Sequence, residues 1–239
     1  MRVASIALLL YCCLRGSGMF FKPERVYDMF PDVDFQADPQ ANQVALAYAR
    51  GLACLITAAG GLAIGGMKGR MVSFSLIFLM FVVNHIVDGL AFPPLVPVVA
   101  ANVIVLLLNF YEMSAGSDKT SIGKLSYAAM QGLFGMLFLS EQAFLVSDPF
   151  TFATEGQASL RVGQKLGFAI GMCLCMHACL TLFESPTGPV AAMGVIVAGL
   201  LKMSTEMDVP AMAYIAAGVC ASVCLYDFFG VGGKATKKE

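Results

Sequence analysis

The chain reads as an all-α, polytopic membrane protein of about eight transmembrane helices, arranged as two parallel four-helix repeats. Three observations predict this. Hydrophobic residues make up 58% of the chain and charged residues only 13%, with a mean hydropathy of +0.77, against roughly 45–50% and about 25% in a soluble domain. Charge this sparse cannot coat a water-facing surface of that size. Apolar runs approaching the ~20 residues needed to cross a bilayer recur along the whole chain. Landmarks of the first half also return about 115 positions later, the mark of an internal repeat.

The first run, Ala4–Phe21, ends at Lys22-Pro23-Glu24, where the proline stops a helix. Arg2 and the small pair Gly16-Ser17 would also suit a cleaved signal peptide. The repeat needs this span, however, which argues for its retention. The polar stretch from Lys22 to Asn42 holds three prolines and five acidic residues, Glu24, Asp28, Asp32, Asp34 and Asp38, and it is too long for a tight turn; it belongs at the membrane interface. The second span, Val44–Ile64, carries a small residue every fourth position: Ala45, Ala49, Ala53, Thr57, Gly61 and Gly65. The third and fourth spans, Met71–Ala91 and Leu95–Met113, are joined through Pro93-Pro94, and the fourth closes on Asn109–Glu112, NFYE.

A hydrophilic linker, 116–124, separates the first repeat (1–115) from the second (125–230), and a basic tail follows (231–239). The fifth span, Leu125–Val146, contains MQGLFGMLFLSE, which echoes LRGSGMFFKPE in and after the first. In the sixth, Leu160–Phe183, the small-residue stripe returns as Ser159, Gly163, Gly167, Gly171, Cys175 and Cys179, 114 positions on. Stripes of this kind let helix backbones approach closely. The second and sixth spans are therefore expected to be central, with Gly61, Gly65, Gly163, Gly167 and Gly171 at helix contacts. The seventh and eighth, Val190–Met207 and Ala211–Phe229, are joined by EMDVP, and CLYD at Cys224–Asp227 closes the last as NFYE closes the fourth. Four spans per half is an even number, so both halves enter the membrane from one side and the repeat is parallel.

Loop charges set the orientation. Arg2, Lys68, Arg70, Lys119, Lys124 and the tail lysines gather on the face that carries both termini, and the acidic loop on the other. The positive-inside rule places both termini in the cytosol, or in the stroma or matrix of an organelle.

The densest ionisable cluster expected within the membrane is Arg50 on the second span with Asn84, His85 and Asp88 on the third. Residues three and four apart share a helical face, and intramembrane charges pair or face a cavity. An Arg50–Asp88 pair beside Asn84 and His85 would be either a ligand- or proton-handling pocket or a structural ion pair. The run Cys173–Cys179, CLCMHAC, invites a metal reading, but Cys175 and Cys179 share one helical face and Cys173 and His177 another, so four ligands cannot converge and no metal is assigned. His85 and His177 differ in depth by roughly 15 Å, too far to hold one haem. No cofactor is indicated, and a net charge of −1 gives no signal for nucleic acid.

The short first helix, Lys22-Pro23-Glu24 after it, and a second helix opened by Tyr48-Ala49-Arg50-Gly51 together resemble the DoxX-like superfamily of small four-helix membrane proteins over Ser5–Met113. The second half matches loosely: Gln164 and Lys165 displace the arginine, and nothing equivalent to Asn84-His85 survives. The resemblance implies a compact helical bundle, here duplicated. Members of that superfamily are variously quinol-oxidase-associated or of unknown role, so it carries over no activity. The leading functional expectation is a non-enzymatic bundle that binds an apolar ligand, lipid or quinone, or a partner membrane subunit. The alternative is a small-solute or proton-coupled transporter driven through Arg50, His85 and Asp88.

Overall fold

Prolines, glycines and one aspartate punctuate the helices of the computed structural model, which describes residues 2–86, 95–115, 122–140, 157–183, 186–205 and 207–235. Among these the chain is all-helical, with no strand. The α-helices are α1 (Val3–Phe21), α2 (Pro39–Ala63), α3 (Gly66–Ile86), α4 (Leu95–Ala115), α5 (Ile122–Leu139), α6 (Gln157–Leu182), α7 (Thr187–Met203) and α8 (Ala211–Ala235). A short 3-10 helix, Pro23–Met29, follows α1.

Local chemistry explains the boundaries. Asp38 caps α2 by accepting a hydrogen bond from the Ala41 amide at 2.9 Å, and Pro39 fills the first helical position, where a missing N–H costs nothing. This starts α2 five residues before the apolar run alone would. Its end is set by Gly65 and Gly66, whose φ angles of +84° and +63° lie in the left-handed region open to glycine. Gly65 is thus a turn residue, exposed and with nothing near its α-carbon. The expectation that it sits at a helix contact is corrected: the fourfold stripe runs one step past the end of the helix.

Five helices, α1, α2, α5, α6 and α8, contain stretches long and apolar enough to cross a membrane. Large apolar side chains face outward, among them Leu14 on α1, Leu107 and Tyr111 on α4, and Val219 and Tyr226 on α8. Inside lie many alanines and glycines, larger side chains such as Leu8, Leu55, Phe74 and Met176, and a set of polar groups. That distribution suits a helical bundle bathed in hydrocarbon, where every backbone polar group is satisfied within a helix.

α2 is the most enclosed element, with nearly every residue from Ala47 to Ala63 buried. It packs on α1, α3 and α6. α6 in turn packs on α5 and α7, α8 lies against α1 and α7, and α4 lies chiefly against α5.

The acidic segment after α1 is folded onto the bundle. Val26, Phe30 and Phe35 join Val44, Tyr48 and Leu166 in a separate apolar cluster. The Tyr27 and Phe35 rings stack with centroids 4.4 Å apart, Tyr27 donates a hydrogen bond to Asn42, and Asp32 pairs with Arg161 of α6. The segment is a cap clipped to α2 and α6.

Candidate functional site

Two features inside the bundle join side chains from several helices. The first is a buried polar network. Arg70 on α3 is only 7% exposed and meets the Glu112 carboxylate of α4, itself 6% exposed, at 2.8 Å. Its Nε donates to Asn109 Oδ1 at 2.7 Å. The Asn109 amide then donates to Val105 O at 2.8 Å and across to Gly123 O of α5 at 3.1 Å. Only glycine fits at 123, because a Cβ there would strike Glu112 and Asn109. Among the described residues, the second carboxylate oxygen of Glu112 is buried without a hydrogen-bond partner.

One helical turn beyond Arg70, Ser73 lies 2.6 Å from the Tyr127 hydroxyl of α5, which lies 3.5 Å from His177 Nδ1 on α6. The chain of contacts ends where His177 Nε2 reaches the Leu55 carbonyl of α2 at 2.8 Å. A carbonyl only accepts, so Nε2 carries the hydrogen and Nδ1 is left to accept from Tyr127. Ser73 then donates to the Tyr127 oxygen. Four helices are stitched by three side chains, and Phe74 packs edge-on against the Tyr127 ring at 4.9 Å.

The second feature is a cavity of about 430 Å³ between α1, α2, α6 and α7, with the 3-10 helix lining one end. Its walls are apolar and rich in methionine: Met19, Met29, Met172, Met176, Met203 and Met212 all line it. Methionine walls are adaptable in shape. The charged lining residues are Arg15, Lys22, Arg25 and Asp28, all near the end of α1 and in the 3-10 helix. Its volume lies within the ~300–1,000 Å³ typical of small-molecule sites.

Of the residues singled out from the sequence, Arg50 is half-buried on α2, on the cap side. Its positive charge acts on Tyr27, whose hydroxyl is pushed up by burial and by Glu24 and drawn back by Arg50. Asn84 and His85 fall in the last turn of α3, with side chains outside the described residues; Asp88 lies outside them altogether. Gly61 faces α3, where a Cβ would press on Val72, and not α6. Gly163 touches Val44 of α2, Gly167 is buried, and Gly171 abuts Gly135 and Phe138 of α5. The small residues thus serve several neighbours and not one shared seam. Cys175 packs its sulfur over Gly135, which gives it a packing role on α6.

The polar network was only partly visible in the sequence. Asn109–Glu112 stood out as a closing motif, but Arg70, counted with the loop charges, is a buried ion-pair partner. The signal that could have found it is the buried-type carboxylate of Glu112 within an apolar span, which demands a cation at matching depth. No known protein family, characterised protein or solved structure matches the chain.

Proposed function

We propose that this chain is an eight-span membrane protein, built as two parallel four-helix repeats, that binds an apolar, membrane-soluble ligand in the cavity between α1, α2, α6 and α7. The single observation that carries the binding reading is the cavity itself, apolar in its body and charged only at one end. Lipids and quinones share that polarity. The role is binding and not catalysis.

Helix packing supports the duplicated architecture. When α1–α4 are exchanged for α5–α8, the pair α1–α2 becomes α5–α6, α2–α3 becomes α6–α7, and α1–α8 becomes α5–α4, all of which pack. The α2–α6 pair maps onto itself. Gly16 of α1 abuts Ala53 and Thr57, and Gly135 of α5 abuts Gly171 and Cys175. These contacts correspond at 118–119 positions, one helical turn beyond the 114 of the sequence stripe. The closing motifs also do equivalent work. Asn109 and Glu112 reach Gly123 in the first turn of α5; Asp227 accepts from the Ala4 amide in the first turn of α1 at 3.1 Å. On this correspondence Ser73, Tyr127 and His177 stand opposite Ala192, Leu8 and Ala59, all fully buried. The duplication is symmetric in packing and asymmetric in polarity.

Extraction in mild detergent, followed by mass spectrometry of co-purifying lipids and quinones, tests the ligand. About one amphiphile per chain should be retained by the wild type and lost from Ala169→Phe, which fills the cavity wall. Equal retention by both proteins, or none by the wild type, would overturn the assignment.

A further inference from the structure

We infer that the cavity holds one acyl chain of an anionic membrane lipid, with the lipid head group bound by Arg15, Lys22 and Arg25. This rests on the cavity being a ligand site and names the class of ligand.

The argument begins with depth. Lining residues on and just after α1 run from Tyr11 to Lys22, which at 1.5 Å per residue is about 16 Å. The hydrocarbon core of a bilayer is about 30 Å thick, so the cavity is one leaflet deep. A lipid of that leaflet would lie beside α1 with its chain reaching the midplane and its head at the level of the 3-10 helix.

Charge then selects the head. Three cations and one carboxylate, Asp28, are the charged lining residues, an excess of two positive charges at the mouth. The side chains of Arg15, Lys22 and Arg25 form no hydrogen bond or ion pair with the described residues, Asp28 included. By contrast, Arg70 and Arg161 each have a carboxylate partner. A neutral quinone ring has no use for three cations, and a small soluble anion has no use for an apolar body lined by six methionines. A phosphate-bearing lipid uses both. Each basic side chain near a membrane surface favours anionic lipid by about fivefold.

The chain contains no tryptophan, so Tyr11→Trp places a single fluorescent reporter at the inner end of the cavity. The full-length variant is reconstituted in phosphatidylcholine vesicles containing phosphatidylglycerol, with bromine on the acyl chains of one lipid or the other. Brominated phosphatidylglycerol should quench at a mole fraction at least fivefold lower than brominated phosphatidylcholine. Adding Arg15→Gln, Lys22→Gln and Arg25→Gln should bring the two lipids together. Raising salt to about 1 M should weaken the preference in Tyr11→Trp alone, because it shortens the screening length, a measurement that does not depend on the triple variant folding. Adding Ala169→Phe should abolish quenching by both lipids, separating a chain in the cavity from lipid on the outer surface. Strong, equal quenching by the two lipids that Ala169→Phe removes would overturn the head-group assignment and leave the ligand site standing. Quenching by neither, or quenching indifferent to Ala169→Phe, would remove both. A preference that survives the triple substitution and high salt would overturn the role of the three cations.

Discussion

Arg70 and Glu112 form a buried ion pair that ties α4 to α3. Among the described residues α4 meets α3 mainly through this pair. Removing one partner strands a charge, which in a buried setting costs about 3–5 kcal/mol. Arg70→Met and Glu112→Leu should each lower thermal stability in detergent sharply, and the double variant should lose less than the sum. Additive losses would mean the two groups do not interact. Tyr127→Phe should also destabilise, by about 1–3 kcal/mol, since it leaves Ser73 and His177 facing each other without the bridging hydroxyl; an unchanged melting temperature would show that the chain of contacts is idle. These residues also mark where sequence reasoning stops. Glu112 was conspicuous in an apolar run, but Arg70 follows Lys68 and three glycines, Gly65, Gly66 and Gly69, a pattern that reads as a basic turn. Its burial is decided by a partner 42 positions away on another helix, and linear spacing carries no such information.

Among the helices, glycines decide how closely neighbours approach. Gly16, Gly135 and Gly171 each face backbone of an adjacent helix, whereas Gly18 and Gly194 face open space. Alanine at 16, 135 or 171 should therefore lower stability, and at 18 or 194 should be neutral or stabilising by up to about 1 kcal/mol, the usual gain over glycine within a helix. Thermal denaturation of the five variants would decide it; a uniform response would refute the packing assignment. The helical segments themselves were legible from apolar run length and breakers, because those signals are local. Register was not: a stripe with period four fits itself at any multiple of four, and the correspondence proposed above from the contacts lies one turn away from the best-looking one. The cap adds a pH dependence. Arg161 beside Asp32 holds that carboxyl below its ordinary range, so the tether contributes above the ordinary carboxylate pKa and is lost as pH falls through the lowered one. The hydrogen-exchange protection of the Pro23–Met29 helix, taken relative to the intrinsic rate at each pH, should fall on acidification through that window and be lowered already at neutral pH in Asp32→Asn. Protection indifferent to both would show that the apolar cluster alone holds the cap.

For the whole molecule, the apolar helix faces turned outward suit a bundle set in lipid, opened near one end by a cavity with a cationic mouth. The apolar character of the helices was plain from composition, and five described helices are long and apolar enough to cross a membrane. The cavity was not, because Arg15, Lys22 and Arg25 come from a helix end and a loop whose fold onto α2 and α6 is set by aromatic packing around Phe30 and Phe35. Eight spans in two parallel halves require the amino terminus, the carboxyl tail and the 116–124 linker to share one side, and the cap around Asp28–Asp38 to lie on the other. The native cysteines described all lie within helices, so single cysteines introduced at Asp34 and Lys238 can be read against the unsubstituted protein. Labelling with a membrane-impermeant maleimide on intact and on permeabilised membranes tests the topology most directly: the two sites should label from opposite sides, and labelling of both from the same side would contradict it.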